Sequence, residues 1–249
     1  MEKNEREEIR RWITAQEAAM KQDLSQLVEI PSVATEETDI PGAPFGTQCR
    51  RVLEKMREIG MREAFRCEDV DGYCLCLTAG AGMHEIGIWN HLDVVPEGDG
   101  WEYPPYECTE KNGYLVGRGV QDNKGPAVAA LYAMMAVKEL GVPLKSNCRL
   151  ILGTDEECGS SDIRHYYAQV PEAPCTFSPD AEFPCINIEK GSIAPHYLAS
   201  YAKSDALPRI ISVDGGTKIN VVPNKAEAVV EGFEESVLRG IAEDTTAET

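Results

Sequence analysis

The segment HLDVVPEGDGW, residues 91–101, follows the apolar run IGIW and gathers a histidine, two aspartates, a glutamate and a tryptophan. In extended chain, residues two apart point to the same side, so His91 and Asp93 share one. A histidine that binds metal usually has a carboxylate nearby to orient it, and Asp93 could do so for His91 indirectly. More acids follow three other strand-like runs: Asp122 after VGRGV, Asp155, Glu156 and Glu157 after RLILGT, and Asp180 after CTFSP. Open α/β sheets bind ligands outside the carboxyl ends of their strands, so four such ends each delivering an acid or a histidine read as a site. Asp122 taken alone is either a helix N-cap or a ligand. Three adjacent carboxylates at 155–157 repel one another unless a cation neutralises them. One glutamate can then bind metal while its neighbour takes a proton from water. A pair of zinc ions about 3.5–4 Å apart, activating water and polarising a carbonyl, is the chemistry this set suits.

The elements that must position these groups are legible from periodicity. Helical spacing runs through residues 6–30 and 46–60, the second stopping at Gly60. Strand-like runs follow at 73–79 and 85–90, and residues 106–119 read as a hairpin about Asn112-Gly113. A helix is expected over 122–141, a buried strand over 147–154, and a helix over 160–170 with Ser160 or Ser161 as cap. Short strands are expected at 175–180 and 185–191, then at 192–200, 209–213 and 225–233, before a helical run at 234–242 and a polar tail. Alternating strands and helices imply an α/β sheet covered on both faces.

Composition narrows the partners. The 249 residues carry a formal net charge of -18, which argues against nucleic acid, because anion would meet anion. No apolar run can span a bilayer, and the charged start MEKNEREEIRRW lacks the core of a signal peptide, so a cytoplasmic address is expected. Nine cysteines without a CxxC pair read as reduced thiols. In CLC, Cys74 and Cys76 alternate around Leu75, which puts both thiols on one face of a strand as packing groups.

HLDVVPEGDGW, GRGVQDNKGPAVAALYAM, TDEECGSSD and SPDAEFPCINIEKG, in that order, closely resemble the zinc metallopeptidase family of aminoacylases, glutamate carboxypeptidases and carnosinases. Within it the likeness is greatest to the bacterial PepV-type (Xaa-His) dipeptidases; LVEIPSV, GAPFG and GGTKINVVPNKAEAVV extend it over nearly the whole chain. The resemblance implies a mixed, largely parallel sheet with helices on both faces, residues 1–191 belonging to the catalytic domain and 192–249 to the start of an α+β lid. It implies two Zn2+ ions. His91 and Asp180 would hold the first, Glu157 the second, and Asp122 would bridge them through a residue whose peptide bond to Asn123 is cis. Asp93 would orient His91, and Glu156 would be the general base. A small peptide is the implied substrate, with N-acyl amino acid deacylation as the alternative within the family.

The family's second zinc also uses a histidine from beyond the lid, and this chain ends inside the lid region. His84, His165 and His196 match no family ligand and read as surface or structural residues, and Cys158 as a small packing residue. A weak second metal site is therefore expected, together with self-association through uncovered edges or a need for a C-terminal segment. A silent fragment acting only as a folding or binding partner is the reading from a different class.

Overall fold

The computed structural model describes residues 3–35, 38–182, 186–188, 190–191, 193, 195–200, 202, 204–216, 222–223, 225–247. It divides into two compact units, Met1–Ile186 and Asn187–Thr249. The expected helix over residues 6–30 is two helices, α1 (Lys3–Ala15) and α2 (Glu17–Val28). They meet at Gln16, whose N–H donates to the Ile13 carbonyl at 3.0 Å. A one-residue turn barely disturbs helical spacing, so the periodicity read straight through it. The helix α3 (Thr47–Arg62) follows, running two residues past Gly60.

Next come β1 (Arg66–Val70), β2 (Cys74–Ala79), β3 (His84–His91), the hairpin β4 (Thr109–Lys111) and β5 (Tyr114–Val116), and α4 (Lys124–Glu139). The unit closes with β6 (Asn147–Gly153), α5 (Ser161–Gln169) and β7 (Cys175–Phe177). Five strands form one sheet in the order β1-β2-β6-β3-β7. β2 is antiparallel to both of its neighbours, whereas β6, β3 and β7 are mutually parallel. Only β2 therefore runs against the rest, and the sheet is mixed but largely parallel. The carboxyl ends of β6, β3 and β7 lie side by side, with His91 registered against Gly153. The hairpin forms a separate two-stranded sheet, so Asp122 is not carried by a strand end of the main sheet.

Alternation sorts the two faces. Leu75, Leu77, Ile88, Leu150 and Leu152 pack with Leu27, Val52, Met56 and Leu131 from α2, α3 and α4. On the other face Cys74, Cys76, Trp89 and Ile151 pack against Tyr166 of α5. The paired thiols sit there as expected, and burial raises the pKa of both. Each fully buried Leu-sized side chain contributes about 1.5–3 kcal/mol, and this two-sided burial fixes which strand ends face the site.

In the second unit β8 (Arg209–Gly215) and β9 (Ala226–Glu231) form an antiparallel pair, and α6 (Glu235–Ala247) runs on into the polar tail. The strands expected at 185–191 and 192–200 are not formed among their described residues; positions 185, 189, 192 and 194 lie outside these. Ile188, Ile193, Tyr197 and Leu198 are exposed, and an apolar run without a pairing partner does not make a strand. Part of the motif GGTKINVVPNKAEAVV, at 217–221 and 224, also lies outside the described residues. No described helix is long and apolar enough to cross a membrane.

Lys124, fully buried in the first turn of α4, ties that helix to the end of α2. Its Nζ donates to the Leu27 carbonyl at 2.9 Å and the Ile30 carbonyl at 2.8 Å. Burial pulls its pKa down to about 7. Lys124→Met keeps the volume but removes the donor, and should lower unfolding free energy by roughly 1–3 kcal/mol in urea titration. An unchanged midpoint would show that the contact is dispensable.

Candidate metal centre

β3 delivers His91 into a buried position at its last residue. The ring Nδ1 lies 3.0 Å from the Asp93 backbone carbonyl, which can only accept, so Nδ1 carries a proton. That assigns the lone pair of the neutral ring to Nε2. Nε2 faces Asp122 Oδ1 at 2.9 Å, Asp180 Oδ2 at 3.3 Å and Glu156 Oε2 at 3.9 Å. A lone pair aimed at carboxylates is satisfied only by a proton or a cation.

The Asp93 side chain does more than orient the ring. Its carboxylate, 3.3 Å from His91 Nδ1, also accepts the backbone N–H of Glu156 at 3.3 Å and of Glu157 at 3.1 Å. The end of β3 thereby holds the loop that follows β6. Asp162, wholly buried, accepts from the N–H groups of Thr154 at 2.7 Å and Asp155 at 2.9 Å through Oδ2, and from its neighbour Ile163 through Oδ1. Asp155 turns away from the site: its Oδ2 accepts from both the N–H and the hydroxyl of Ser161. Only Glu156 and Glu157 of the three adjacent acids therefore face the cluster. Ser160 holds the N-cap position of α5, as one of the two expected caps, but its side chain makes no capping bond; carboxylates of Asp155 and Asp162 take the N–H groups of Ser161 and Ile163 instead.

Two sets of ligand atoms, His91 with Asp122 and Glu157, and His91 with Glu156 and Asp180, each lie within 4.8 Å of one another. Electrostatics mark the crowding. Burial disfavours charge on His91, but hydrogen bonds to Asp122, Asp180 and Asp93 outweigh it and push the ring up to about 12. Burial, followed by the repulsion of Asp122, pushes Glu157 up to about 7. Burial also raises Glu156, while the hydrogen bond to His91 lowers Asp180. One imidazole amid four inward carboxylates is a donor set with a deficit of positive charge, which fits a divalent cation.

The six residues to which the resemblance gives roles lie together here: His91, Asp93, Asp122, Glu156, Glu157 and Asp180, while Asp155 does not join them. Asp122 is not the cap of α4; Asn123 holds that position, and the Asp122-Asn123 peptide bond is cis, as the resemblance implies. His165 lies outside, stacked on Tyr73 with its Nε2 2.9 Å from Asp71. His196 is exposed in the second unit, and the side chain of His84 lies outside the described residues. Cys158 is exposed rather than packed. The turn after Asp93 is pinned by Trp101, whose indole donates to the Glu97 carbonyl at 2.7 Å. Sequence reasoning passed over Asn90, Asn123, Lys124 and Asp162, all wholly buried. Consecutive polar residues at the end of an otherwise apolar strand, as in IWNH, were the available signal.

Asp162→Ala leaves the Thr154 and Asp155 N–H groups without their acceptor. Unfolding free energy should fall by roughly 1–3 kcal/mol for each, read by urea denaturation. A total loss below about 1 kcal/mol would mean the loop is held without it.

A sequence profile of Peptidase family M20/M25/M40 matches residues 87–244. "Putative dipeptidase YtjP" of Bacillus subtilis (strain 168) is 39% identical over 212 residues, covering 84% of this chain and 46% of that protein. "Putative dipeptidase SAB1611c" of Staphylococcus aureus (strain bovine RF122 / ET3-1) is 36% identical over 212 residues, covering 84% and 45%. The crystal structure of human carnosine dipeptidase 1 superposes with a TM-score of 0.56 at 26% identity, over 65% of this chain and 37% of that one. The chain thus spans less than half the length of the curated relatives it matches. With the profile covering most of the chain, including every residue of the carboxylate–imidazole cluster, the protein belongs to peptidase family M20/M25/M40.

Proposed function

We propose that this chain carries the metal-binding half-site of a zinc-dependent dipeptidase. The observation that carries the reading is the His91 ring: its Nδ1–H is committed to the Asp93 carbonyl, so Nε2, where a metal would displace the proton, points into converging carboxylates. Mixed imidazole and carboxylate donors suit zinc. His91, Asp122 and Asp180 would hold the first ion, with Asp122 and Glu157 left for a second. A metal pair so held would lower the pKa of water and polarise a peptide carbonyl. Glu156, half-buried with a raised pKa, would take the proton from the attacking water and return it to the leaving amine. Dipeptides are the favoured substrate class, because both curated relatives above are named as dipeptidases.

One imidazole serves both candidate sets. Catalytic zinc normally has three protein ligands, and the second ion would find two among the described residues. We infer that full activity requires a further donor, supplied by another segment or by a second copy of this chain.

Zinc bound per monodisperse chain, by elemental analysis after dialysis against buffered zinc, should be one tight equivalent. None would refute the metal reading. Chelator-sensitive hydrolysis of dipeptides, once the further donor is present, should vanish in Glu156→Gln while zinc remains bound; surviving hydrolysis would reassign the base.

Metal binding should also release protons. At pH 7 the metal-free His91 ring is protonated, since its pKa lies near 12, and ligation through Nε2 requires that proton to leave. Affinity should therefore weaken as pH falls, by about tenfold per unit for each proton displaced, and more steeply below pH 7 as Glu157 protonates. Calorimetry in buffers of different ionisation enthalpy measures the number; zero protons released at pH 7 would contradict ligation by His91.

A further inference from the structure

Asn123 occupies the N-cap of α4, where an asparagine ordinarily accepts a hydrogen bond from the first turn of its helix. Here its side chain caps nothing. Wholly buried, it turns back under the cluster, and its Nδ2 donates to Asp180 Oδ1 at 2.6 Å. Its Oδ1 accepts from Nδ2 of Asn90, the buried β3 residue that precedes His91. The direction of this chain is dictated by chemistry. An ionised carboxylate only accepts, so Asn123 must present its NH2 to Asp180 and its oxygen to Asn90. Asn90 must then present its own NH2, which leaves its buried Oδ1 without a partner among the described residues. Two buried amides have given up a cap and an acceptor contact to form one directed line.

The end of that line is Asp180. Residues 178–182 have no regular structure, so β7 alone does not fix this carboxylate. Its two oxygens are divided: Oδ1 is taken by Asn123, and Oδ2 lies 3.3 Å from His91 Nε2. The geometry points to Asn123, backed by Asn90, as a positioning residue that aims Asp180 Oδ2 at the metal, an inference that rests on the metal reading above. A carboxylate held by one oxygen presents the other in a single direction, which is how outer hydrogen bonds raise metal affinity.

The test uses the 249-residue chain and zinc or cobalt(II) alone. Asn123→Asp keeps size and the acceptor for Asn90 but sets a carboxylate against Asp180. It should weaken the first zinc equivalent by about 10–100-fold in chelator competition. Its cobalt(II) absorption should shift toward that of Asp180→Ala, a change that a purely structural defect would not produce. Weakening by Asp180→Ala with none by Asn123→Asp would overturn the relay.

A metal-free measurement covers the case in which Asn123→Asp does not fold. In the wild-type chain the Asn123 side-chain NH2 should be protected from solvent exchange by NMR, and Asp180→Ala should abolish that protection. If the wild type takes no zinc yet shows this protection, the metal reading fails and the hydrogen-bonded relay stands. A freely exchanging amide in the wild type overturns the relay whatever the metal does.

Discussion

A buried imidazole whose acceptor nitrogen faces acceptors is the constraint on which the first unit turns. His91 is almost completely enclosed, and its Nδ1 proton is spoken for by the Asp93 carbonyl. Carboxylate oxygens of Asp122 and Asp180 close in on Nε2. Without a positive charge between them this arrangement is repulsive; with one it is a strong site. The same contacts that hold a proton on the ring would hold a metal in its place, and the two compete for one lone pair.

Holding carboxylates against their repulsion requires rigid supports, and the fold supplies them through hydrogen bonds around the cluster. Asp93 fastens the start of the Glu156–Glu157 loop to β3, while Asp155 and Asp162 fold the rest of that loop onto α5. A Cβ on Gly153 would lie 2.1 Å from Asp162 Oδ2, so a glycine there is what admits the buried carboxylate beneath the loop. Lys124 joins α4 to the end of α2, and Asn123 lies directly before it. The start of α4 is thus anchored on one side to the helical layer and on the other to Asp180.

Much of this was written in the order of the residues. Apolar alternation located the inner strands, and the acids and histidine at their ends marked the ligand side of the sheet. The six residues to which the resemblance gives roles converge. Expectations went astray where a local pattern lacked the information. A turn of one residue at Gln16 left helical spacing intact, and the runs at 185–191 and 192–200 form no strand among their described residues. The run of three acids read as a single cluster, whereas buried Asp155 is turned away from it toward Ser161 at the start of α5.

The sequence by itself determined the residue types, the strand ends that lead into His91 and into the acids at 155–157, and the family to which they belong, because these depend on local spacing and on motifs. Only the tertiary structure decided which carboxylates face His91, which merely support them, and that Asn123 serves Asp180 instead of its own helix. Those choices depend on hydrogen-bond direction between groups 57 residues apart along the chain, such as Asn123 and Asp180. No local pattern carries a direction, and a buried amide or carboxylate acquires its role only from the partner that burial forces it to find.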